Sequence, residues 1–266
     1  MTDYTFNQSP TLSYDDLRSA TPAVFATAPF IRTSPSYKFI PTQQLVQALY
    51  DVGFRATEAR QARARGERVG FARHMLRFRQ IREVVEIEDA IPEIVLLNSH
   101  DATSAYQLRA GLYRPVCTNG MLARLGDFGV IHVPHRGNIV ANVVDAALTL
   151  TRGFARIGEI VRLMISTALT TDDRLQFASR ALAIRFREGQ HTPITPEAAL
   201  VVRRELDDHN DVWHTYNVLQ ENLIRGGVGG TNARGRITTT RAIRAIREDV
   251  RINTQLWQLA MTMLRT

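Results

Sequence analysis

The sequence predicts an α+β fold, with a small antiparallel sheet braced by helices and followed by a C-terminal helical bundle. Three observations predict it. Two strand-like runs, Phe54–Arg63 and Gly70–Glu83, are joined by a short turn-compatible stretch, Ala64–Val69. A third apolar run, Pro92–Ser99, follows closely, and short connections favour antiparallel pairing. From about residue 138 the apolar spacing changes to a helical period and stays there to the end.

Three regions follow: an N-terminal arm at 1–36, a sheet core at 37–137 and a helical region at 138–266 with a flexible loop at 225–236. The arm carries Pro10, Pro22, Pro29 and Pro35 between scattered apolar residues, so it gains little by folding on itself. Its apolar residues are expected to pack on the rest of the chain or on a neighbouring subunit. Tyr37–Ile40 reads as a short strand. Pro41 and Thr42 open a helix, with Thr42 as its cap, Leu45, Val46, Leu49 and Tyr50 as its apolar face and Gly53 as its stop. The two arginine-rich strands come next, then Pro92–Ser99.

From Ser104 the chain reads as helix, with Tyr106, Leu108, Leu112 and Tyr113 inside, and the CTNG segment including Asn119 reads as a turn. Gly129–His135 supplies one more strand. Helices are expected at about 138–166, 171–186, 196–223 and 238–264, the third opened by Thr195 as cap and Pro196 at the first helical position.

Composition narrows the function. The formal charge is +7, and 32 of the 33 basic residues are arginine, Lys38 being the one lysine. A net positive chain favours polyanionic partners, and the planar guanidinium suits phosphate. Cys117 is the only cysteine, which excludes an intramolecular disulfide and a multi-cysteine zinc site. The apolar stretch at 139–169 is broken by charged residues, which excludes a bilayer span there. With no secretory pattern at its start, the chain is expected in the cytoplasm.

Candidate nucleic-acid contacts are Arg60, Arg63, Arg65, Arg73, Arg77 and Arg79 on the hairpin and Arg225, Arg234 and Arg236 in the glycine-rich loop. Alternation puts Arg73, Met75, Arg77 and Arg79 on one face of their strand, a cationic ribbon with Phe71 or Phe78 available to stack bases. The same pattern also suits a hairpin with one solvated face. The loop RGGVGGTNARGR lacks the GK[ST] of a Walker phosphate loop.

Asn98, Ser99, His100 and Asp101 form a polar cluster at a strand end. Ser99 and Asp101 alternate with His100, which argues against a self-contained hydrolase triad. Asn98 and Asp101 are read as caps of a helix starting near Thr103 or Ser104, with His100 and Asn98 as possible ligand contacts. His74, His100, His132 and His135 with Asp101 offer metal-ligand chemistry, but the HVPH spacing sends its two histidines to opposite sides of a strand. Asp207, Asp208, His209 and Asp211 read as a solvated helix face. No cofactor and no metal are expected.

The segments YKFIPT (37–42), GFARHMLRFR (70–79), PEIVLLNSHD (92–101), AGLYRPVCTNG (110–120) and YNVLQENLIRGG (216–227), in this order, resemble the phage- and plasmid-encoded domain of unknown function 932. Ala102 stands where that family's pattern leads one to expect glycine. The resemblance implies a mobile-element setting and supplies no catalytic activity to carry over. The function expected is binding of nucleic acid, single-stranded DNA above all, as in annealing during recombination, with homo-oligomers extending the groove. Two alternatives are a counter-defence protein that inhibits a host nuclease complex and a metal-dependent hydrolase using His100 and Asp101.

Overall fold

The computed structural model describes residues 11–34, 37, 39–81, 86–101, 106–114, 119–122, 130–133 and 138–264. The chain divides into two compact units, one of Met1–Gly120 with Arg124–Ala155 and one of Met121–Ala123 with Arg156–Thr266. The fold is α+β, with an antiparallel sheet, helices and a C-terminal helical region.

The sheet of the first unit runs in the order β1 (Phe54–Gln61), β2 (His74–Gln80), β3 (Ile91–Asn98), β4 (Tyr106–Arg114) and β5 (Asn119–Leu122), and β6 (Val130–Val133) also pairs with β4. Every residue of β3 is buried, as expected of a central strand covered on both faces. The register sets Leu76 opposite Leu96 and Leu96 opposite Leu108, so one face carries an apolar row across three strands. Helices α2 (Thr42–Asp51) and α3 (Ile139–Arg152) belong to this unit. The buried residues of α2 are Thr42, Leu45, Val46 and Leu49.

Segment 106–114 is a strand and not the expected helix. Tyr106, Leu108, Ala110 and Leu112 are fully buried, whereas Gln107 and Arg109 are half-buried. That is a period of two, and pairing with β3 on one side and β6 on the other rewards it. The strand expected from Gly70 starts at His74, because Gly66–Phe71 forms a 3-10 turn.

The arm folds back on its own chain. Ser13 caps α1 (Tyr14–Ala20) in a capping box with Asp16, a 3-10 turn follows at Pro22–Phe25, and Leu17, Ala23 and Val24 are fully buried. Leu12 N–H donates to the Ala56 carbonyl at 2.8 Å, and Phe30 N–H to that of His100 at 3.0 Å.

From α3 onward the long helices come out shorter than periodicity suggests. Gly153 separates α3 from α4 (Phe154–Ser166), so the expected 138–166 helix is two. After α5 (Thr171–Arg185), Thr195 caps only the single turn α6 (Pro196–Ala199), its hydroxyl accepting from Ala198 N–H at 3.3 Å. The Asp207–Asp211 cluster is not a helix face. Asp207 ends a 3-10 turn, and Asp211 caps α7 (Val212–Arg225), accepting from His214 N–H at 2.9 Å and His214 Nδ1 at 2.7 Å.

Helix α7 is buried on nearly every side. Trp213 stacks on Tyr216, and Trp257 of α8 (Ile246–Met263) meets Tyr216 edge-on. Its polar residues find partners in the interior: Gln220 donates to Asn253 at 2.9 Å, and Asn222 donates to the Ala199 and Val201 carbonyls at 2.8 and 2.9 Å. Such pairing is what makes buried amides tolerable. Between α7 and α8 lies a β-hairpin, β7 (Gly229–Thr231) with β8 (Ile237–Thr239). Among the described residues, no helix is long and apolar enough to cross a membrane.

Candidate nucleic-acid interface

The sheet does not present the cationic ribbon expected of it. Arg77 and Arg79 do share a face, but they are 3% and 7% exposed and both hold Glu93 of the neighbouring strand. Arg77 Nε donates to Glu93 Oε2 at 2.7 Å and Arg79 Nη2 to Glu93 Oε1 at 2.9 Å. Thr57 Oγ1 adds a third bond to the same carboxylate at 3.0 Å. The register that sets Ile94 opposite Phe78 brings Glu93 beside Arg79, a neighbour invisible before strands are paired. Arg60 is half-buried, 3.7 Å from Glu58, and Arg73 is half-buried. Of the six hairpin candidates only Arg63 and Arg65, in the connection to β2, are exposed, and Arg68 beside them is exposed too. The aromatic rings are committed too: Phe78 is fully buried, and Phe71 packs on Phe30 at 5.5 Å between centroids.

The polar cluster at the end of β3 is buried rather than open. Asn98, Ser99 and His100 are fully buried, and with Thr42, His74 and Tyr106 they join one network. Thr42 is its hub and not the helix cap, since Pro41 occupies the cap position with no side-chain bond. His74 Nδ1 faces the Ala72 carbonyl at 3.0 Å, so that nitrogen carries the hydrogen and Nε2 accepts from the Thr42 hydroxyl at 2.9 Å. The Thr42 oxygen then accepts from Asn98 Nδ2 at 3.0 Å and His100 Nε2 at 3.1 Å. With donor and both lone pairs used, Thr42 is locked in place. Asn98 therefore bonds to a side chain from α2 and does not cap a following helix.

Tyr106 Oη donates to the Ile40 carbonyl at 2.5 Å, and Tyr37 Oη to that of Ser99 at 3.1 Å. Burial, with a contribution from Asp101, pushes the Tyr37 phenol up to about 12. Asp101 itself is half-buried. Asn119 lies on β5, and its side chain is outside the described residues, as is His135. Among the described residues no three His, Cys, Asp or Glu side chains are grouped to hold a metal ion.

The second unit carries exposed cations as well. The glycine-rich segment expected to be a flexible loop is an ordered hairpin. Asn232 Oδ1 accepts from Arg234 and Arg236 N–H at 2.9 and 3.1 Å, closing its tip. Gly230 lies so close to the 193–194 backbone that a Cβ would stand 1.9 Å from the Pro193 carbonyl oxygen, and Thr231 N–H donates to that oxygen at 2.8 Å. Arg225 is tied to Glu221 at 2.7 Å beside the Arg204–Glu221 pair, so it braces α7. Arg234 and Arg236 are exposed at the tip, next to Ile237, which is 93% exposed.

Three further arginines were not anticipated. The segment 240–245 is not helical as expected, and Arg241, Arg244 and Arg247 are all exposed. No side-chain hydrogen bond or ion pair within the described residues engages Arg234, Arg236, Arg241, Arg244 or Arg247. The repeat RAIRAIR was the available signal. As a helix its arginines would spread along one solvated side, whereas an extended chain with three residues per turn also aligns them. Five exposed arginines thus stand without an acidic partner among the described residues within 14 residues of sequence.

The family model described as "Domain of unknown function (DUF932)" matches residues 31–257. The chain belongs to this family. It is 40% identical over 254 residues to the UPF0380 protein YfjQ of Escherichia coli (strain K12), covering 95% of this chain and 92% of that one. It is 39% identical over the same length and coverage to the UPF0380 protein YafZ of the same organism. No solved structure matches the chain. The DUF932 match spans both the Thr42 network and the cationic hairpin.

Proposed function

We propose that the protein binds nucleic acid through phosphate contacts made by the hairpin and the segment after it, without catalysis. One observation carries this reading: Arg234, Arg236, Arg241, Arg244 and Arg247 are exposed without an acidic partner among the described residues, whereas the sheet arginines at 77 and 79 are neutralised in the interior. A protein that neutralises phosphates with arginine releases counterions, and the affinity then falls steeply with salt. No base-stacking ring accompanies these arginines on the hairpin, so the binding is to the backbone and is sequence-tolerant. Such contacts suit the single-stranded DNA first expected and also a duplex; the measurement with both forms decides between them.

The test is fluorescence anisotropy with single-stranded and duplex oligonucleotides over a salt series, using the wild type and a variant with all five arginines changed to Ala. Micromolar or tighter binding at low salt is expected, with the variant losing roughly 0.7–0.9 from the salt slope per phosphate contact removed. Absence of binding at low salt, or a variant with the wild-type slope, overturns the reading. If a nuclease-treated lysate instead yields an acidic protein bound through the same arginines, the counter-defence reading replaces it.

A further inference from the structure

Beneath the exposed arginines lies one that is buried and only half used. Arg185, at the end of α5, is 9% exposed; its Nη2 donates to the Arg241 carbonyl, and its Nη1 is buried without a hydrogen-bond partner. The guanidinium lies over the Phe186 ring, 5.1 Å from its centroid. A guanidinium stays protonated in proteins, so this site keeps both a charge and an unanswered N–H out of water, which is costly unless an anion arrives.

The first turns of α8 pack beside it: Arg251 Nη2 donates to the Ile184 carbonyl at 2.9 Å, and the charge of Glu248 acts on Arg185. Helix α8 has 18 residues, and its cap residue, Ala245, has no side chain able to accept. Glu248 and Asp249 N–H both bond to the Ala245 carbonyl, but the amides of Ile246 and Arg247 have no acceptor among the described residues. Amides at a helix start, together with the helix dipole, favour an anion. Two carboxylates stand in this turn. Glu248 is taken up by Arg251, through Nε at 3.0 Å and Nη2 at 2.5 Å, and by Arg187 at 3.3 Å. The other acid of this turn, Asp249, is 8% exposed and accepts from Asn253 at 2.5 Å. Burial lowers the Arg185 pKa, and the charge of Glu248 offsets that only in part.

We infer that Arg185 and the first-turn amides of α8 form a phosphate-binding site under the 241–247 segment. The inference deepens the proposed function and rests on it for the source of the phosphate, a phosphodiester of nucleic acid. Arg185 supplies directional hydrogen bonding, and the exposed arginines supply the field that draws the strand toward it.

The experiment uses the full chain and inorganic phosphate at constant ionic strength, with chloride as the control anion. Backbone amide resonances of Ile246 and Arg247 should shift and saturate with phosphate but not with chloride. Arg185→Lys keeps the charge but loses the fork, and it should weaken the phosphate affinity by about tenfold or more. Arg185→Gln should weaken it further. Unmoved amides in the wild type, or wild-type affinity in folded Arg185→Lys, overturn the site. An oligonucleotide arm separates the two readings. If phosphate saturates the site but oligonucleotides neither bind nor compete, the site stands for free phosphate and the nucleic-acid reading falls. If oligonucleotides bind with an arginine-dependent salt slope while phosphate leaves the amides unmoved, the reading stands and the site falls.

Discussion

Arg77 and Arg79 grip the two oxygens of one carboxylate, Glu93, at 2.7 and 2.9 Å, inside a sheet whose central strand is wholly buried. This relationship turns two arginines of the basic strand β2 into a structural clasp. Each guanidinium is desolvated, so the shared carboxylate is a condition of folding.

Changing Glu93 to Gln keeps the shape but leaves two buried cations facing a neutral amide. A loss of about 3–5 kcal/mol of unfolding free energy is expected from denaturant titration. Charge reversal at Arg77 or Arg79 should cost a similar amount, so such variants report on stability rather than binding. Wild-type stability in Glu93→Gln argues against the clasp.

The Thr42 network predicts a pH dependence. Burial, opposed by the Ala72 carbonyl and Asp101, lowers the His74 pKa from 6.5 to about 4. A histidine whose folded pKa is depressed contributes stability that is full above about pH 6.5 and is lost as pH falls toward 4. The expected loss is about 3 kcal/mol across that window, from about 1.36 kcal/mol per pKa unit. In Thr42→Val, His74 loses its donor, and Asn98 and His100 lose their acceptor, so a fall of about 3 kcal/mol at pH 7 is expected. Thr42→Ser should retain most of the stability. Denaturation midpoints from pH 4 to 8 check both, and a flat profile rejects the neutral, buried His74.

Two adjacent glycines test the hairpin. A Cβ on Gly230 meets the Pro193 carbonyl oxygen, whereas one on Gly229 meets nothing within 4 Å. Gly230→Ala should cost about 1–3 kcal/mol and loosen the hairpin, and Gly229→Ala should lie within about 0.5 kcal/mol of wild type. Thermal melts and proteolysis within 225–236 separate the two. Equal behaviour of the two variants contradicts the packing of the hairpin on the 193–194 segment.

What could be read from the residues followed local chemistry. Alternation and turns placed β1, β2, β3 and β6, and Thr195 with Pro196 marked a real helix start. The misreadings have physical reasons. In Tyr106–Arg114, apolar residues at 106, 108 and 112 fit a strand, but a helical reading also absorbed Tyr113 into the core; cross-strand pairing with β3 and β6 decided the matter. In 238–245, helical spacing was outweighed by the hairpin and by Ile243 N–H bonding to the Ile224 carbonyl at 2.8 Å. Of the candidate site, Arg234 and Arg236 were legible because a glycine-rich arginine loop is exposed in most settings. Arg241, Arg244 and Arg247 were hidden inside an expected helix.

By itself the sequence determined the balance of charge, the α+β class and local signals such as the Thr195–Pro196 helix start, since these depend on neighbours within a few residues. Tertiary structure alone decided which arginines are spent on Glu93 and Glu221 and which remain open at 234–247. The reason is that neutralisation acts through space: a guanidinium is quenched by whichever carboxylate strand register and helix packing bring within a few ångströms, and for Arg77, Arg79 and Arg204 that neighbour is distant along the chain.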